Sequence, residues 1–149
     1  MMLPDEAATA RLGQAIAAAL RTGEAVCLSG PLGAGKSTLA RALVRALTTP
    51  GEEVPSPTFT LAQFYEGPRL KVAHFDLYRL SQPDEAYEIG LDEALDDGAV
   101  VIEWPERLQG ALPPDRLDVE IAPAGAAEGR RVRLTPHGAW EGRAIGFRA

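Results

Sequence analysis

The residues Gly30-Pro31-Leu32-Gly33-Ala34-Gly35-Lys36-Ser37 fit the pattern G-x-x-x-x-G-K-[ST], with Thr38 directly behind them. Each fixed position answers a physical need. Glycines let the backbone turn its amides inward and let phosphates approach closely. A lysine at the seventh place reaches the β- and γ-phosphates, and the hydroxyl after it ligates Mg²⁺. A helix starting there aims its positive end at the anion. Gly30, Leu32, Gly33, Ala34, Gly35, Lys36, Ser37 and Thr38 are therefore the expected nucleotide-contacting run. In a chain of this composition the pattern arises by accident about 0.002 times. Lys36 is also one of only two lysines, and it stands where the pattern requires one.

Such a loop also needs an acid at a strand end to order the metal and its water. Two positions qualify. Asp76 follows Val72-Ala73-His74-Phe75, and Glu103 follows the purer apolar run Ala99-Val100-Val101-Ile102. Both are expected near a metal held by Ser37. Which one binds it and which one places the attacking water stays open at this level. The base is easier to narrow. GTPases read guanine through N-K-x-D, and a chain without asparagine has no such segment, so ATP is the expected nucleotide. A small-molecule kinase usually carries an arginine-rich lid; Arg69, Arg79 and Arg107 are scattered rather than clustered.

Positioning these groups requires an α/β framework. Residues 5–21 read as a helix, with Leu12, Ile16 and Leu20 behind Ala8, a cap at Asp5 and a stop near Gly23. Ala25–Leu28 reads as a buried strand leading into the glycine-rich loop. A second helix is predicted from Lys36, carrying Leu39, Leu43 and Leu47 and ending before Pro50. Pro50, Pro55 and Pro57 make residues 50–58 irregular. Leu61–Tyr65 and Leu70–Asp76 read as strands joined by the hairpin turn Glu66-Gly67-Pro68-Arg69. Residues 83–97 read as one or two short acidic helices. Ala99–Ile102 is another buried strand, and Leu117–Ile121 and Val132–Leu134 form a half-exposed hairpin across Pro123–Gly129. A short helix is expected in the tail 138–149. The expectation is one three-layer domain over 1–149, a P-loop NTPase fold with a mixed parallel and antiparallel sheet.

At 149 residues with 46% apolar content the chain can bury a core without staples. Its single cysteine, Cys27, excludes an internal disulfide and a cysteine-based zinc site, and is expected to be a small buried residue. A net charge of −6 argues against gripping bare RNA or an anionic membrane. No charge-free stretch reaches the length of about 18 residues that a membrane helix needs. The first residues, Met1-Met2-Leu3-Pro4-Asp5-Glu6, do not look like a signal peptide. A cytoplasmic location is the expectation.

Three further segments narrow the class. They are Ser56-Pro57-Thr58-Phe59-Thr60-Leu61, His74-Phe75-Asp76-Leu77-Tyr78-Arg79-Leu80 and Ile102-Glu103-Trp104-Pro105-Glu106. In this order behind the glycine-rich loop, they make the chain resemble the TsaE (YjeE) family from about residue 8 to 135. The resemblance implies a small Mg²⁺-dependent ATPase of bacterial tRNA threonylcarbamoyladenosine synthesis. Such proteins bind a complex of TsaD and TsaB, drive its turnover, and are weakly active alone. tRNA is then met only through that complex. The resemblance also implies that Ser37 and the carboxylate of Glu103 hold Mg²⁺. Asp76 is then a Walker-B-type residue beside the metal, Thr58 lies in a switch loop near the γ-phosphate, and Trp104 follows the metal-site glutamate. Lys36, Asp76, Glu103 and Thr58 form the expected catalytic set.

Each of these residues has a plainer reading. Thr58 is equally placed to end a proline-rich turn, and Ser56 carries less weight. His74 reads as a packed strand histidine, and Trp104 as a core anchor that the resemblance moves toward the site. Arg79 is the nearest internal arginine finger, or else an ordinary surface arginine. The acidic stretch Asp84–Asp97 is a solvated face or a surface that meets a basic partner. Two other functions stay in play: a small-metabolite kinase, and a nucleotide-gated binding module without hydrolysis.

Overall fold

The computed structural model describes residues 1–55, 61–125 and 127–147. The short continuous apolar runs take the middle of the sheet, where both faces are covered. They are β2 (Ala25–Ser29), β4 (Lys71–Asp76) and β5 (Ala99–Glu103). β6 (Arg116–Pro123) and β7 (Arg130–His137) form the foreseen hairpin. β3 (Ala62–Glu66) pairs antiparallel with β4 across the foreseen turn. A two-residue β1, Met2–Leu3, which the sequence did not announce, adds to β7.

Among the described residues the strands form one sheet in the order β1-β7-β6-β2-β5-β4-β3. β6, β2, β5 and β4 run parallel, and antiparallel strands flank them. The mixed sheet is as expected. The parallel docking of β6 on β2 was not, because hairpin patterning is silent about which edge the hairpin joins.

One face carries α1 (Glu6–Ala19) and α2 (Lys36–Leu47). Asp5 caps α1, its Oδ1 accepting the Ala8 amide at 2.9 Å. Leu12 and Ile16 of α1 and Leu39 and Leu43 of α2 are wholly buried, each stabilising the fold by about 1.5–3 kcal/mol. The two helices approach closely at Gly13, where a Cβ would stand 2.7 Å from the Leu39 carbonyl oxygen. The opposite face carries the short helices α3 (Asp84–Glu88) and α4 (Leu91–Asp97). They cover Ala25, Cys27, Ala73, Phe75, Val100 and Ile102.

Two expectations need correction. α1 stops at Ala19 rather than running to 21, because Leu20 turns extended and the chain heads into β2. The tail does not close as a helix: Gly138–Trp140 makes a single 3-10 turn, and residues 141–147 are irregular. Glycines at 138, 142 and 146 disfavour helix there, and tertiary contacts hold the segment instead. Trp140 is 1% exposed, and Arg143 forms a bidentate pair with Glu24 at 2.6 and 2.7 Å. Among the described residues, no helix is long and apolar enough to cross a membrane.

Candidate functional site

The loop between β2 and α2 closes over a cleft at the carboxyl ends of the parallel strands, the usual ligand position in an open α/β sheet. Gly30, Gly33 and Gly35 have φ of 142°, 77° and 104°, values that L side chains rarely adopt. A Cβ on Gly30 would also stand 2.0 Å from the Ile121 carbonyl oxygen on β6. Sequence thus fixes this turn through conformations open to glycine and through close backbone approach. Gly35 is the N-cap of α2, and no side chain caps the helix. The amides of Lys36, Ser37 and Thr38 therefore head a 12-residue helix with its positive end facing the cleft.

The cleft encloses about 410 Å³ and takes in Gly33, Lys36, Ser37, Asp76, Glu103 and Arg130 among its walls. Leu32, Gly35 and Thr38 line it as well. Gly30 sits beneath it, its carbonyl oxygen accepting from Lys36 Nζ at 2.5 Å. Ala34 is wholly buried, and its amide already donates to Pro31 O at 3.2 Å.

Asp76 and Glu103 are register partners at the ends of β4 and β5. Both are buried. The chain after each strand is tied down: Leu77 N donates to Glu103 O, and Trp104 N to Leu28 O. An Asp76 carboxylate oxygen accepts the Tyr78 amide at 3.1 Å. Glu103 Oε2 lies 2.6 Å from His74 Nε2. His74 is the packed strand histidine expected, yet one that touches a candidate site carboxylate. Thr58, with Ser56, falls outside the described residues.

Lys36 is almost fully buried. Besides its bond to Gly30, its ammonium stands 3.5 Å from the centroid of the Trp104 ring, a cation–π contact. Burial pushes its pKa below the ordinary lysine value, while Glu103, Glu106 and Asp76 push it back up. Trp104 sits in the left-handed region, φ 60°, which turns its ring away from the strand and toward the lysine. The Tyr78 ring packs on Trp104 at 5.0 Å.

Arg130 is the site residue that sequence reasoning missed. It lies at the start of β7, far along the chain, and its Nη2 reaches Gly33 O at 3.4 Å. Its Nε is buried without a hydrogen-bond partner among the described residues. No motif marks it; only the docking of β6 on β2 brings it over the loop.

An anion with a divalent cation fits these residues. The uncapped helix end, inward glycines and a buried lysine suit phosphates. Among the described residues no group of three or more His, Cys, Asp or Glu could hold a metal alone. That suits Mg²⁺, which takes one or two carboxylates plus phosphate oxygens rather than an all-protein cage.

Comparison with known proteins agrees with this geometry. The family model "Threonylcarbamoyl adenosine biosynthesis protein TsaE" matches residues 3–132. The chain belongs to the TsaE family. A TsaE protein of Streptomyces coelicolor is 43% identical, with 83% of this chain and 87% of the relative covered. One from Aquifex aeolicus is 42% identical over 72% and 77%, and one from Rickettsia bellii 38% over 80% and 83%. A crystal structure of Bacillus subtilis YdiB superposes with a TM-score of 0.77 at 28% identity, covering 95% of this chain and 87% of that one. The three-layer P-loop fold with a mixed sheet is thereby established, and the TsaE family match extends through the glycine-rich loop and both acidic strand ends.

Proposed function

We propose that this chain is a Mg²⁺-dependent ATPase that supports tRNA threonylcarbamoyladenosine biosynthesis by driving turnover of a TsaD–TsaB complex. The observation that carries the reading is the convergence of Lys36, the uncapped start of α2, Asp76 and Glu103 on one cleft. The names of its TsaE relatives supply the pathway.

In this reading the amides of Gly33 and of Gly35 to Thr38, with the Lys36 ammonium, take the phosphates. Lys36 must first leave the Gly30 carbonyl and the Trp104 ring, exchanging weaker contacts for charge-assisted ones. Ser37 and Glu103 would hold Mg²⁺, and Asp76 would orient water. Bound there, the metal neutralises charge on the β- and γ-oxygens. The chain's own part is positioning and fixed charge. Arg79 and Arg130 reach the cleft, and Arg79 stands on its exposed rim. Turnover by the isolated chain is expected to be slow and to rise when TsaD and TsaB bind. A net charge of −6 leaves the RNA to those partners.

The test is ATP turnover with and without TsaD and TsaB. Slow release of inorganic phosphate by the chain alone, raised by the pair, is expected. Fast turnover unchanged by the pair overturns the proposal, and phosphate transferred to a small metabolite instead of water makes the chain a kinase. Lys36→Ala should abolish turnover with the fold intact.

A further inference from the structure

His74 is buried at the middle of the sheet, 3% exposed, and no part of the proposed chemistry uses it. It lies on β4, where its register partner is Val101. Glu103 stands two residues further along β5, on the diagonal within side-chain reach. The 2.6 Å contact joins Nε2 to Oε2. A carboxylate only accepts, so Nε2 carries the hydrogen. Among the described residues Nδ1 has no hydrogen-bond partner. Glu103 Oε1 makes no hydrogen bond among the described residues, and Glu103 lines the cleft.

We propose that His74 is a positioning residue for Glu103: its Nε2–H pins Oε2 and leaves Oε1 to face the place where the metal of the nucleotide would bind. This rests on reading Glu103 as the metal carboxylate. A buried carboxylate free to rotate would lose orientation at each release of nucleotide. One hydrogen bond from a neighbouring strand, itself locked in the sheet, keeps it aimed. Such outer partners typically set metal affinity by about 10–100-fold.

The experiment compares binding of a fluorescent ATP analogue in Mg²⁺ and in EDTA, with no turnover measured. His74→Gln places an amide N–H at about the reach of Nε2, and His74→Asn stops one methylene short. Wild type and His74→Gln should bind more tightly in Mg²⁺ than in EDTA. His74→Asn should lose about tenfold or more of that metal-dependent gain while its affinity in EDTA stays unchanged. The role is overturned if His74→Asn keeps the gain, if His74→Gln loses it, or if His74→Asn weakens equally in both conditions, since that marks a purely structural residue. Glu103→Gln separates the two levels. Should it lose the gain while His74→Asn keeps it, only the positioning role falls. Should it keep the gain, the reading of Glu103 falls and the positioning role with it.

Discussion

Lys36 Nζ stands 3.5 Å from the centroid of the Trp104 ring, so the cation proposed to take the phosphates rests on an aromatic face. A phosphate that draws the ammonium away changes the surroundings of the indole. The fold has one other tryptophan, Trp140, buried near the tail under Arg143. Tryptophan emission should shift when ADP or ATP is added, and Trp104→Phe should abolish the change. An undiminished change in that variant would place the responding ring at Trp140.

The lowered pKa of Lys36 gives nucleotide binding an alkaline limb. Phosphates favour the charged lysine, so binding is strongest while the free protein is protonated. As pH rises through the lowered pKa, binding must recruit a proton, and affinity falls. The fall should begin at lower pH than for a lysine of ordinary pKa and be absent in Lys36→Ala. A wild-type profile that falls no earlier than an ordinary lysine's would contradict it.

Arg130 touches the glycine-rich loop from β7 and keeps a buried Nε without a partner among the described residues. Arg130→Ala should weaken nucleotide binding by about tenfold, the size of one hydrogen bond to a charged group. The melting temperature should change little, because the arginine's bonds to Ala127 O and Gly129 O go to nearby loop carbonyls. Equal affinity in the variant would remove Arg130 from the site.

The pair Glu24–Arg143 ties the irregular tail to the start of β2, with side chains only 6% and 11% exposed. The hydrogen bonds to Glu24 raise the Arg143 pKa further, so it stays charged. Arg143→Ala leaves the Glu24 carboxylate buried without its counter-charge and should cost about 3 kcal/mol, read as a lower denaturation midpoint. The family model ends at residue 132, so Glu24 lies within the matched region and Arg143 beyond it.

Cys27 is wholly buried in β2. Burial first, and Asp118 second, push its thiol up to about 12. It stays a thiol at neutral pH and should react with a thiol reagent only as fast as the protein opens. Rapid labelling of the native protein would contradict this.

Much of the fold was legible because local chemistry and tertiary need coincide. Leu12, Ile16, Leu39 and Leu43 repeat at helical spacing and face the core they predict. The apolar runs before Gly30 and Glu103 became the buried parallel strands. Where several parts of the chain must meet, local pattern said less. β1 is two residues long and exists only because β7 offers it an edge. The tail was misread as helical because its order comes from Trp140 and Arg143, contacts across more than a hundred residues of chain.

The site divides along the same line. By itself the sequence determined the glycine-rich loop proposed to take the phosphates, since a turn of inward amides accepts only certain residues at certain steps. It also determined the two acids, which mark the ends of buried strands. Tertiary structure alone decided that Asp76 and Glu103 lie side by side, through the register of β4 on β5. It alone placed His74 against Glu103, Lys36 on Trp104 and Arg130 over the loop. Periodicity records which face a residue takes; sheet order and register record which distant residue it meets there. The second is a property of the packed chain, where burial of both faces leaves one arrangement stable.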